Sequence, residues 1–232
     1  MVGGKNPVRA SKVLFFFLAF VFLAARSADA CSLPQGKFSY DILNDNTPIG
    51  GAWIDFEREG TRTKVSTLIK VKVTLLYLIP LLNYRHQSEE IWETDVFQSF
   101  DGKTVDNRRE VAIRIKPNSH GPNGQSLKVN RNGSLSEIET PLFSQVIWCK
   151  ETLRHAQLFS PLKGRMKAIR TEDMGQAAIT IRGQTHQAKA FALIQMRKGK
   201  PVRTDLWYGE DGVILKARFP SKRGTIVTFL RH

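Results

Sequence analysis

Residues 65–75 read VSTLIKVKVTL, and this stretch decides the fold. Val65, Thr67, Ile69, Val71, Val73 and Leu75 recur with a period of two, while Lys64, Ser66, Lys70, Lys72 and Thr74 fill the alternate places. Successive side chains of an extended strand point to opposite faces, so this pattern buries one face and wets the other. Val111, Ile113 and Ile115 repeat it against Arg114 and Lys116, and Val213, Leu215, Ala217 and Phe219 repeat it against Lys216 and Arg218. Turn signals such as Asn44-Asp45-Asn46, Glu59-Gly60, Asp101-Gly102, Asn132-Gly133, Glu210-Asp211-Gly212 and Arg223-Gly224 separate the runs. Strands joined by tight turns pair antiparallel, because a parallel crossover needs a dozen or more residues. The expectation is a mainly β chain of about ten strands in one strongly curved antiparallel sheet, a half-barrel or open barrel, with one short helix.

The helix is placed within 145–160, SQVIWCKETLRHAQLF, where Val146, Cys149, Leu153 and Ala156 recur at roughly helical spacing. Residues 117–125, PNSHGPNGQ, read as a polar loop. The run from Leu75 to Leu82 is apolar on both faces and contains Pro80, which removes a ladder hydrogen bond and speaks against an interior strand there. Such a run is either a doubly covered strand or a hairpin that lines a pocket for an apolar ligand. Leu75, Tyr77, Ile79, Leu82, Tyr84 and Trp92 are the candidate ligand-binding residues. The four tryptophans (Trp53, Trp92, Trp148, Trp207) are expected chiefly in the core.

Residues 1–30 have the three parts of a secretory signal peptide. These are a basic start (Lys5, Arg9, Lys12), an apolar core from Val13 to Ala25, and small residues at Ala28 and Ala30. The apolar core is short for a bilayer span, which needs about 20 residues. Residues 31–232 then form a single β-rich domain, exported to the periplasm or cell envelope. Loss of the leader removes Lys5, Arg9, Lys12, Arg26 and Asp29 and lowers the net charge from +14 to about +11, a balance that favours polyanions. Export makes nucleic acid the least expected of these. Cys31 and Cys149 form a candidate disulfide in a compartment where disulfides persist. Free thiols, or a lipid on Cys31, remain open alternatives, although Ala28-Asp29 matches a lipoprotein signal poorly.

No nucleophile elbow, zinc-protease helix or phosphate-cradling loop occurs in the sequence. His86, His120, His155 and His186 lack metal-ligand spacing, and no catalytic residue, metal or cofactor is assigned. Glu89 and Glu90 are adjacent, so on a strand they face opposite ways and cannot act as an acid–base pair. The basic candidates are Lys163, Arg165 and Lys167 on one strand face, together with Arg197, Lys198, Lys200 and Arg203 around a hairpin turn. They read either as solvated outer faces or as a docking surface for anionic headgroups.

FSYDILNDNTPIG, SEEIWETDVFQSFDGKT, SQVIWCKETLRHAQLFSPLKGRM and DLWYGEDGVILKARF together resemble a family of exported bacterial β-rich proteins of unknown function. That family often has Asn after the central tryptophan, where this chain has Cys149. The resemblance implies a curved sheet similar to the half-barrels of periplasmic lipoprotein carriers, which hold acyl chains on a concave face closed by a helix or loop. It supplies no catalytic residues. The expected function is therefore to bind an apolar or amphipathic ligand, such as a lipid, inside the curved sheet. The alternatives are an envelope protein whose basic face meets a polyanion or partner protein, and an enzyme without a local motif. The oligomeric state is not legible.

Overall fold

In the computed structural model the described residues are 33–75, 79–94, 96–118, 126–139, 150–160, 163–221 and 224–232, without the side chains of 74–81. Cys31, Cys149, Tyr77, Trp148, His120 and the leader lie outside them.

The described residues form one antiparallel sheet of fourteen strands. Its first wing comprises β1 (Gly36–Asn44), β2 (Thr47–Glu59), β3 (Arg62–Leu75), β4 (Ile79–Glu93), β5 (Val96–Asp106), β6 (Arg109–Asn118), β7 (Ser126–Arg131) and β8 (Ser134–Glu139). The second wing comprises β9 (Gln157–Ser160), β10 (Arg165–Ile181), β11 (Gln184–Arg197), β12 (Lys200–Tyr208), β13 (Ile214–Pro220) and β14 (Ile226–Arg231). Each wing is a run of neighbouring hairpins, and pairing of β1 with β14 joins them in the middle of the sheet. The sheet is not closed, since β8 and β9 are its two edges. The wings nevertheless curl towards each other. A β-carbon on Gly164, just before β10, would lie 3.4 Å from Val129 Cγ1 and 3.5 Å from Arg131 Cδ on β7.

The expected alternation is present in β3. Thr63, Val65 and Thr67 are buried and Lys70 and Lys72 are exposed. The buried face of every long strand turns inward, and its side chains form one cluster that runs from Tyr40, Ile54 and Trp92 through Ile115 and Val129 to Phe159, Leu193 and Leu206. At roughly 1.5–3 kcal/mol per buried aliphatic or aromatic side chain, this face is what holds the sheet in its curl. A smaller cluster of Ile181, Ala188 and Leu215, with Trp207 against it, lies apart from the main core.

Three local expectations are corrected. Among the described residues of 145–160 the helix is one 3-10 turn, Lys150–Arg154, and Gln157–Ser160 is strand. Leu158, Phe159 and Ser160 are all buried, so β9 is covered on both faces and loses the alternation that marks a strand. Pro117 and Asn118, read as loop, pair with Leu127 and Ser126 at the end of β6. Trp53, expected in the core, is 47% exposed. Pro80 lies beside a register irregularity between Val73 and Thr74, where a missing ladder hydrogen bond is tolerated.

Among the described residues no helix is long and apolar enough to cross a membrane.

Candidate functional site

The β3–β4 hairpin separates the candidate ligand residues. Leu75 pairs with Ile79 at its tip, and Leu82 pairs with Val73. Trp92 is ten residues further along β4, roughly 34 Å away at 3.4 Å per residue. It packs edge-on against Phe97 at 5.4 Å and donates its indole N–H to Glu90 Oε2 at 3.1 Å. Trp92 therefore belongs to the packed interior. Tyr84 has the inward parity of His86 on the same strand and pairs with Val71, which packs on the core, and burial pushes its phenol up to about 12.

The inner face of β4 carries a polar file amid the core. His86 Nδ1 is 2.8 Å from Thr104 Oγ1 and His86 Nε2 is 3.2 Å from Ser88 Oγ. Burial lowers the imidazole to about 4 and raises the Glu90 carboxyl to about 8, so both are held neutral near pH 7. Glu89 on the next position is exposed, as the strand geometry requires. A histidine and a serine in contact form the start of a nucleophilic pair, but both are buried and Glu90 bonds Trp92 instead of orienting the ring. The file is structural. Among the described residues no group of three or more His, Cys, Asp or Glu can hold a metal ion.

The basic candidates divide. Arg165 and Lys167 share the parity of Ile169, a core residue, so they continue the inner face of β10 towards its rim. Lys167 donates to Gln195 Oε1 at 3.2 Å. Its ammonium is pushed down by burial, then by the charges of Lys163, Arg165 and Arg197. That cause brings Arg197, thirty residues further on, into one cluster with the β10 cations. Lys198 and Lys200 are exposed at the adjoining turn. Arg203 does not join them. It faces outward and is held by Asp205 at 2.6 Å and Glu172 at 3.6 Å, while Asp205 also accepts from Arg218 at 3.2 Å. Arg131 of β7 was not among the basic candidates. It reaches the same rim because the wings curl, a contact no local spacing could reveal.

The inner face also holds a cavity of about 650 Å³ between β10, β11 and the 3-10 turn. Leu153, Ile169 and Phe191 give it apolar walls, and Lys150, Arg154 and Lys189 give it cations. Lys189 is paired with Asp173 at 2.8 Å, and Arg154 too is engaged by a partner. Thr171 Oγ1 lines the cavity and is buried without a hydrogen-bond partner among the described residues. A site with apolar walls and few polar groups orients a molecule that is apolar at one end and charged at the other. None of these lining residues was a sequence candidate. Ile169 and Phe191 read there only as alternating strand residues, and the turn read as helix.

A family model described as a domain of unknown function (DUF6134) matches residues 40–231. Among solved structures, the chain is similar to the hypothetical lipoprotein YmcC from Escherichia coli (K12), at 8% identity and a TM-score of 0.32, with 90% of this chain and 88% of that chain covered. No protein of curated function matches the chain.

Proposed function

The chain belongs to the DUF6134 family, and from that premise we propose that it is an exported envelope protein that binds an amphipathic anion in the cavity beneath the 3-10 turn. The carrying observation is the pairing of Leu153, Ile169 and Phe191 with Lys150 and Arg154 around about 650 Å³ of space. That volume falls within the roughly 300–1,000 Å³ of small-molecule sites. An alkyl chain against the apolar walls gains about 25 cal/mol per Å² buried, before the cost of immobilising it. The cations at the turn supply the complement to its charged end. Export rests on the leader-like residues 1–30. Most of the inner face is packed, so the ligand is held at one place on it and does not fill a hollow sheet.

Titration calorimetry of the purified protein with dodecanoate and with dodecanol tests this reading. Dodecanoate is expected to bind, dodecanol to bind more weakly, and Lys150→Glu with Arg154→Glu to weaken dodecanoate by about tenfold or more. An absence of dodecanoate binding, or indifference to the double reversal, would overturn it.

A second reading is favoured by the rim. Arg165, Lys167, Arg197, Lys198 and Lys200 make no ion pair among the described residues. These cations would dock the protein at an anionic surface, at about 1 kcal/mol per basic residue near lipid headgroups. Salt-sensitive flotation with phosphatidylglycerol vesicles, lost on Arg165→Gln with Arg197→Gln but kept on the turn reversal, would select it.

A further inference from the structure

We propose that the outer face carries a separate site for an acidic sugar, a pyranose bearing a carboxylate or phosphate, with Trp53 as its platform and Lys70, Lys72 and Arg85 as its anion contacts.

Trp53 is an exposed indole on a face where tryptophan has no packing reason to be, at 47% accessibility. It leans back over Gly51, where any β-carbon would come within 2.9 Å of the ring. Gly51 thus leaves the space in which the indole lies along the sheet. The Lys70 ammonium stands 5.9 Å from the ring centroid. The strand register sets Lys70 directly between Gly51 and Arg85, and sets Lys72 against Asn83. A lysine facing an arginine across an antiparallel pair is a repulsive arrangement, and Lys72 adds a third like charge on the same face. None of the three makes an ion pair among the described residues. The nearby acid, Asp41, is already engaged by His232 at 2.8 Å and Arg182 at 3.5 Å. These groups surround an open cavity of about 660 Å³ that also includes Trp53.

This combination selects the ligand class. The C–H face of a pyranose is apolar and flat enough to lie on an indole, while its hydroxyls and acid group need donors beside the ring. Arginine and lysine supply those donors, and charge-assisted bonds to carboxylate or phosphate are roughly twice as strong as neutral ones. A bound anion would also relieve the repulsion between Lys70 and Arg85. A neutral sugar would use the platform without answering the charge, and a bare anion would answer the charge without using the platform. The site lies on the face opposite the amphipath cavity, so either can be present without the other.

Calorimetry with trigalacturonate, its methyl ester and glucose 6-phosphate decides the matter. At least one of the acidic probes is expected to bind, with the methyl ester weaker than trigalacturonate wherever the latter binds. Trp53→Ala, and separately Lys70→Gln with Arg85→Gln, should each weaken the bound acidic probe by about tenfold or more. All these side chains are exposed, and a circular dichroism melt of each variant confirms that it remains folded. Trigalacturonate binding without glucose 6-phosphate assigns a carboxylated sugar, and the converse assigns a phosphorylated one. Failure of both probes to bind, equal affinity for the methyl ester, or unchanged affinity in Trp53→Ala would overturn the proposal.

Discussion

His86 and Glu90 stand four residues apart on β4, face the same packed interior, and are displaced from ordinary titration in opposite directions by the same cause, burial. Each is kept in its neutral form. The imidazole resists protonation and the carboxyl resists ionisation, so the two groups bend the pH dependence of stability from opposite ends.

The signs can be followed through the titration. Unfolded His86 takes up its proton near pH 6.5 while the folded form waits until about pH 4, so its contribution is lost as pH falls through that window. Unfolded Glu90 ionises near pH 4.5 and the folded form near pH 8, so its contribution is lost as pH rises through that window. The two slopes cancel where they overlap, and above pH 6.5 Glu90 acts alone. Urea denaturation should show about 2 kcal/mol lost between pH 6.5 and 8, at 1.36 kcal/mol per pH unit. Glu90→Gln should flatten that decline, and a decline that persists in the variant would place its origin elsewhere.

Gly102 lies opposite Ser88, and a β-carbon there would come within 2.4 Å of the Phe100 ring. Gly102→Ala should therefore cost about 1–3 kcal/mol by overpacking. Combining it with Phe100→Leu should lose less than the sum of the single changes, since the second removes the atoms that collide. Additive losses in a denaturation cycle would show that Phe100 is not what Gly102 accommodates.

Tyr40 on β1 reaches past β14 to donate its hydroxyl to the Ile214 carbonyl on β13, at 3.1 Å and away from water. Burial holds the phenol well above its usual range. Tyr40→Phe should lower stability by about 1 kcal/mol without changing the denaturant slope. A neutral effect would mean that the carbonyl finds another partner when the hydroxyl is gone.

The rim cations repel one another in the free protein. Arg197→Gln should raise the melting temperature by about 1–2 °C at low salt, and the gain should fade as salt screens the cluster. A gain that is independent of salt would trace to something other than charge.

The inward and outward sides of β3 were legible in the sequence because both neighbours continue its register without interruption along Arg62–Val71. Strand β10 is different. A bulge at Met174 shifts its pairing with β11 between Asp173 and Gly175, so the odd-numbered residues change faces halfway along. Arg165 and Lys167 could be placed on a common face, but their relation to Ile179 and Ile181 could not. Sequence also could not reveal either cavity, because each joins residues far apart in the chain: Leu153 with Phe191, and Trp53 with Arg85. The apolar hairpin tip drew attention through its composition alone. The exposed tryptophan, an ordinary alternating position to a sequence reader, carries its meaning in the cross-strand neighbours.

The junction of β1 with β14 also bears on how the chain is made. Tyr40 meets Arg231 there, across almost the whole described sequence, whereas every other seam joins strands adjacent in chain order. Both wings can zip from local hairpins as the polypeptide emerges, but bridging them must await the final segment. Until Ile226–Arg231 is delivered, β1 and β13 each present a long unpaired border, the kind of template on which nascent molecules adhere to one another. A chaperone that shelters those two borders during synthesis would guard the assembly step at which this molecule is most vulnerable.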